Sequence, residues 1–264
     1  MVEFLHAFHP LYSISGFFVG GLVGFTGVGG GSLMTPLLVL AFGIAPTTAV
    51  GTDLLYAAIT KSNGTLVHSL NGTVDWRIAG RLAAGSVPAT IAALVALSLL
   101  GKSGGHVANG VITSVLGFAL ILTAVVILFR GWLLRYIAAH TDRLTDRQTR
   151  LLTHLLGAFL GALVSISSVG AGAIGITVLL ALYPRLPTVR LIGSDIAHAV
   201  PLTFVAGAGH WLMGSVDWVL LVSLLIGSLP GIAIGSYLAA RIPDKFLRPV
   251  LASTLAAVGA KLSI

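Results

Sequence analysis

Apolar residues in this chain fall into long blocks instead of alternating with polar ones. The blocks run over 11–45, 47–70, 76–100, 106–130, 151–184, 187–212, 218–240 and 246–264. A bilayer core of about 30 Å takes about 20 apolar residues in helical form. Six blocks therefore predict one transmembrane helix each. The other two, 11–45 and 151–184, would each make a straight helix of ~50 Å at 1.5 Å per residue. Each is interrupted by small residues: Gly27-Val28-Gly29-Gly30-Gly31 in one, Ser167-Ser168-Val169-Gly170-Ala171-Gly172 in the other. Glycine at that density breaks a helix. Each long block therefore predicts two short helical pieces forming a hairpin that dips into the membrane.

The pattern occurs twice. A shift of 142 residues superposes Gly51 and Asp53 on Gly193 and Asp195, and His68 on His210. The same shift carries Gly72, Val74, Asp75 and Trp76 onto Gly214, Val216, Asp217 and Trp218, and Thr35 onto Thr177. One offset through so many polar and special positions indicates an internal duplication. The expected division is 1–130 as the first membrane repeat, 131–150 as a basic cytoplasmic linker and 151–264 as the second membrane repeat.

Composition agrees with a membrane solvent. Apolar residues make up 56% of the chain and charged residues 9%, against about 25% charged in soluble domains. The chain has no Cys, which excludes disulfides and thiolate chemistry. A net charge of +7 would suit nucleic acid, but Arg130, Arg135, Arg143, Arg147 and Arg150 crowd one hydrophilic stretch and most of the rest cap apolar blocks. That distribution follows the positive-inside rule. With 131–150 in the cytoplasm and 151–184 a hairpin returning to its own side, Arg185, Arg190, Arg241, Lys245 and Arg248 all fall inside, at the cost of Lys102 outside. The two halves then point in opposite directions, and the expectation is a pair of inverted-topology repeats. Parallel repeats of four spans are the rival.

The interrupted segments are the first candidate site. A broken membrane helix frees backbone N–H groups that must find partners, and a helix N-terminus carries partial positive charge. Together they suit a small anion. Thr26, Gly27, Gly29, Gly30, Gly31, Ser32 and Thr35 come from the first half, and Ser165, Ser167, Ser168, Gly170, Gly172 and Thr177 from the second. Close packing through small residues is the competing role for such glycines. Lys61 within its span would either snorkel or contact an anion, and its depth favours the anion contact.

Asp53, Asp195, His68 and His210 are candidates for proton coupling, because ionisable groups within a membrane are costly and seldom idle. The competing roles are structural. Asp53 and Asp195 would accept first-turn N–H bonds, and His68 and His210 would pair with Asp75 and Asp217. Asp75 and Asp217 themselves read as helix caps, each followed by an interfacial Trp.

The stretch Gly24 to Pro36, with Ala49-Val50-Gly51-Thr52-Asp53, Thr60-Lys61, His68 and Gly72-Thr73-Val74-Asp75-Trp76, resembles the sulfite exporter TauE/SafE family of bacterial membrane transporters. The resemblance spans essentially the whole chain. The second half departs from the glycine-rich pattern at Val169, Ala171 and Ala173. The resemblance implies export of small anions, notably sulfite or organosulfonates.

The sequence thus predicts an all-α polytopic membrane protein with two inverted-topology repeats, each a Gly-interrupted helical hairpin plus three transmembrane helices. The expected function is a secondary transporter, not an enzyme, exporting a small anion from the bacterial inner membrane by alternating access. No cofactor or metal is expected. The expected partners are the anion and the lipid bilayer, with no nucleic acid; a homodimer is compatible with this reading. The alternative is a cation-coupled or proton-coupled transporter of another solute using Asp53 and Asp195. An intramembrane hydrolase pairing Ser168 with His210 is disfavoured, since no Gly-x-Ser-x-Gly elbow is present.

Overall fold

The computed structural model describes residues 10–26, 31–102, 105–141, 145–239 and 244–263. Among these residues the chain is helical, with no strand. The helices are α1 (Pro10–Thr26), α2 (Gly31–Leu40), α3 (Pro46–Leu70), α4 (Trp76–Lys102), α5 (Gly105–Thr141), α6 (Asp146–Ser167), α7 (Ala173–Leu182), α8 (Thr188–Leu212), α9 (Trp218–Ala239) and α10 (Asp244–Ser263). Four of them, α4, α5, α6 and α8, are long and apolar enough to cross a membrane by length and composition. Two of the shorter apolar segments lie at 10–22 and in α7.

The duplication reappears in the helix boundaries. α2 and α7, and α3 and α8, begin and end 142 residues apart. Both turns after α3 and α8 carry a glycine at positive φ, Gly72 at 64° and Gly214 at 73°, a conformation that costs glycine nothing. The uniform shift fails at the first helices. Gly16 and Gly20 pack on Leu224 and Ser228 just as Gly157 and Gly161 pack on Leu82 and Ser86, which makes the offset 141 there. The second half is longer by one residue between these glycines and the start of its next helix.

The two halves interlock. α1 packs along α9 and α4 along α6, while α3 packs on α8 and α5 on α10. The first two pairs are held by glycine. A Cβ on Gly227 would collide with the Ser13 carbonyl, and one on Gly85 with the His154 carbonyl. Small residues permit this approach, where dispersion contacts and not water exclusion must hold helices together. Gly51, near the start of α3, abuts Ser215 and His210 after and at the end of α8; Gly193, near the start of α8, abuts Thr73 and His68 at the end of α3. α3 and α8 are therefore antiparallel.

Each half begins with a hairpin. The Tyr183 hydroxyl just after α7 lies 2.8 Å from Thr153 Oγ1 near the start of α6, and Gly175 of α7 lies against Leu160 of α6. α7 thus returns towards the origin of α6. The first half repeats this with Tyr12 and Phe42, whose rings meet edge to face at 4.9 Å. The stretch 131–150 is mostly helical: α5 continues to Thr141, and α6 starts at a capping box in which Gln148 N–H donates to Thr145 Oγ1 at 3.3 Å and Thr145 N–H to Gln148 Oε1 at 2.9 Å. Such reciprocal bonds satisfy two otherwise orphaned donors.

Candidate functional site

The crossing of α3 and α8 gathers the ionisable residues. Asp53 lies in the third turn of α3, fully buried. It does not accept first-turn N–H bonds, as its structural reading anticipated. Its Oδ2 instead accepts the Thr35 hydroxyl of α2 at 2.5 Å. The link is interhelical because Asp53 lies too deep in α3 to face free amides. The Ser168 hydroxyl of the second hairpin stands beside the same carboxyl. Asp53 Oδ1 and Ser168 Oγ are both buried without a hydrogen-bond partner.

Ser168 owes its position to an unusual backbone. It terminates α6 in the left-handed region, at φ 59°, and Gly170 follows at φ 111°. A non-glycine residue at positive φ is uncommon, and here it turns the chain sharply enough to bring the break of the second half against α3 of the first. Ser167 secures the turn, its hydroxyl donating to Leu163 O at 2.7 Å and accepting Val169 N–H at 3.2 Å.

Asp195 is equally buried in α8. Its Oδ1 presses on Gly175 of α7, where any larger residue would collide, and has no hydrogen-bond partner. Lys61 of α3 lies within electrostatic reach of both Asp195 and Asp53. It forms no ion pair with either within 4.0 Å, whereas Arg190 does form one with Asp75, at 3.9 Å. One ammonium thus serves two carboxylates without being bound by either. Thr203 occupies the equivalent of Lys61 in α8, and its hydroxyl is returned to Ala199 O at 2.8 Å.

Other candidates take structural partners. Thr177, the equivalent of Thr35, donates to Ala173 O of its own helix at 2.7 Å. His68 Nδ1 pairs with Thr73 Oγ1 at 2.8 Å, and His210 Nε2 with Ser165 O at 2.9 Å. The expected pairing with Asp75 and Asp217 does not form, because those carboxylates face forward into the next helix. Asp75 Oδ1 accepts Arg77 N–H at 3.1 Å and Asp217 Oδ1 accepts Leu220 N–H at 2.9 Å, as helix caps do. His210 and Ser168 are not paired, so the geometry of a Ser–His hydrolase is not formed. Gly170 and Gly172 lie in the turn between α6 and α7. Thr26, Gly31 and Ser32 are described only as backbone at helix ends, and Gly27, Gly29 and Gly30 lie outside the described residues.

Sequence reading did not assign a role to His198, buried in α8, whose Nε2 lies 2.9 Å from Ser86 Oγ of α4. Its equivalent Tyr56 stands beside Ser228 of α9, the equivalent of Ser86. The signal available was the pairing of a His with a Tyr under the 142-residue shift. A cavity of about 450 Å³ lies at the end of α8, lined by Thr47, Ser98, Asn109, His210 and Ser215 among others. His210 connects it to Ser165, three residues before Ser168.

The family described as sulfite exporter TauE/SafE matches residues 12–262. The chain belongs to the sulfite exporter TauE/SafE family. It is a multi-pass membrane transporter of that family. A relative from Bacillus subtilis (strain 168), the probable membrane transporter protein YjnA, is 38% identical over 94% of this chain and 97% of its own length. A second from the same organism, the probable membrane transporter protein YdhB, is 28% identical over 92% and 95%. A probable membrane transporter protein of Xylella fastidiosa (strain 9a5c) is 28% identical over 84% and 83%. No solved structure matches the TauE/SafE chain.

Proposed function

We propose that this TauE/SafE protein exports a small anion, sulfite or an organosulfonate, across the bacterial inner membrane by alternating access between two halves of inverted topology. The observation that carries the reading is the placing of the second half's break, at Ser168, against Asp53 of the first half with Lys61 in reach. A discontinuous helix at the meeting point of two repeats is where transporters of this design hold their solute. Lys61, the Ser168 hydroxyl and main-chain amides around Gly170 and Gly172 are the anion's donors. Thr35 and Thr177 are already engaged with Asp53 and Ala173 and act by shaping the site.

Opposite orientation of the halves is supported by the antiparallel packing of α3 on α8. In the proposed orientation the ends of α3 and α9 and the starts of α4, α6 and α8 face the cytoplasm. Arg77, Arg81, Arg147, Arg150, Arg185 and Arg190 then lie inside, and Lys261 joins Lys102 outside. The cavity beside His210 opens outward. The inner side is closed by Arg190 with Asp75 at 3.9 Å and by Arg81 Nη1, which donates to Tyr183 OH at 3.3 Å. An inside-negative potential favours exit of a monovalent anion by ~2.3 kcal/mol per 100 mV where the anion crosses without a compensating proton.

Flux of sulfite, methanesulfonate and sulfate from proteoliposomes tests the reading. Transport lost on Lys61→Ala supports it. The unpartnered oxygens of Asp53 and Asp195 favour one other reading, a cation carrier. There Asp53→Asn with Asp195→Asn would abolish flux while Lys61→Ala spares it.

A further inference from the structure

Lys61 and the two carboxylates form a charge group whose balance is incomplete. With both acids ionised, the group carries one excess negative charge. The groups facing it are accounted for. α3 supplies Tyr56 beside Asp53, and α8 supplies His198 within reach of Lys61. α2 supplies the Thr35 hydroxyl and the α6–α7 turn the Ser168 hydroxyl. No further cation among the described residues lies in an ion pair with either acid.

An uncompensated ion away from water costs several kcal/mol. One proton balances the empty group. A monovalent anion seated on Lys61 adds a second negative charge and withdraws the ammonium from the carboxylates. The two acids have somewhere to put the compensating charge, since Asp53 Oδ1 and Asp195 Oδ1 are buried and unpartnered. On Asp53 Oδ1 a proton would be donated to Ser168 Oγ beside it. Oδ2 would go on accepting from Thr35.

We propose that the anion and the two carboxylates, Asp53 and Asp195, compete for the single ammonium of Lys61, so that each monovalent anion bound takes one proton into the site. This rests on the anion site described above and names its coupling ion. The coupling is reciprocal by linkage. Where the empty group holds one proton and the filled group two, anion affinity falls about tenfold per unit rise in pH.

The test is isothermal titration calorimetry of the purified full-length protein with methanesulfonate, a monovalent anion whose own charge is fixed. Repeating the titration in buffers of different ionisation enthalpy counts protons. The expected result is uptake of about one proton per anion, with the anion affinity of Asp53→Asn/Asp195→Asn, at whatever strength it binds, losing its dependence on pH. The affinity of the unaltered protein, measured across pH, gives the same answer without relying on the variant. Binding with no proton uptake, or binding that requires sodium instead, overturns this proposal and leaves the anion site standing. Absence of methanesulfonate binding defeats the sulfonate site and this proposal together.

Discussion

The Ser194 hydroxyl of α8 accepts the backbone N–H of Asp75 at 2.8 Å. Its counterpart Thr52 in α3 accepts the N–H of Asp217 at 3.0 Å. Each bond ties the turn that follows one long helix to the start of its antiparallel equivalent. Thr52→Val keeps the shape and orphans a donor, so it should destabilise the protein by about 1–3 kcal/mol. Ser194→Ala should act alike. The two sites lie at opposite ends of the helix pair, and their effects should add to within about 0.5 kcal/mol. Thermal unfolding in detergent of the two single variants and the double variant checks this.

Glycines in the interlocked pairs should differ sharply from those on open faces. Gly227→Ala and Gly85→Ala drive a methyl into a carbonyl of the neighbouring helix, at a cost of about 1–3 kcal/mol. Gly80→Ala and Gly110→Ala meet nothing within 4 Å. They should be neutral or stabilising by about 0.4–1 kcal/mol through the unfolded chain. Equal losses at all four positions would contradict the packing described.

Thr35 and Thr177 are equivalent in sequence and unequal in use. Thr35→Val removes the donor that holds Asp53, whereas Thr177→Val removes only a bond to its own helix. A hydrogen bond to a charged group is worth about 1.5–3 kcal/mol. Thr35→Val should therefore lower both anion flux and melting temperature, and Thr177→Val should have a clearly smaller effect on each. Flux and unfolding measured on the same preparations would show it.

The proposed orientation has a direct chemical test, since the chain has no Cys. Leu70 and Leu212 are equivalent and exposed at the ends of α3 and α8. Leu212→Cys should react with a membrane-impermeant thiol reagent from outside intact cells. Leu70→Cys should react only after permeabilisation. Labelling of both from one side would reject inverted halves.

The arginine contacts on the proposed inner side make a further prediction. Arg190→Gln removes the ion pair with Asp75, which in a half-exposed setting is worth about 0–1 kcal/mol. Its effect should therefore be a population shift of a few-fold towards inward opening, without loss of fold. Cysteine accessibility on the cytoplasmic side, using Thr73→Cys with and without the substitution, reads that shift.

Much of this protein was legible from its chain alone. Blocks of apolar residues fix where helices run, because a backbone in lipid must satisfy its own hydrogen bonds. The interruption at 167–172 marked the turn between α6 and α7, and the repeat showed that α3 and α8 are equivalent. Asp75 and Asp217 could be read as caps because capping is local. What Asp53, His68 and His210 bond to could not be read. Their partners, Thr35, Thr73 and Ser165, depend on how helices cross, and periodicity leaves that crossing open. Only the tertiary structure decided that Ser168 would meet Asp53 and that one lysine would come within electrostatic reach of two acids. Those meetings come from an αL turn and from glycine contacts that set interhelical distance, neither of which follows from hydropathy.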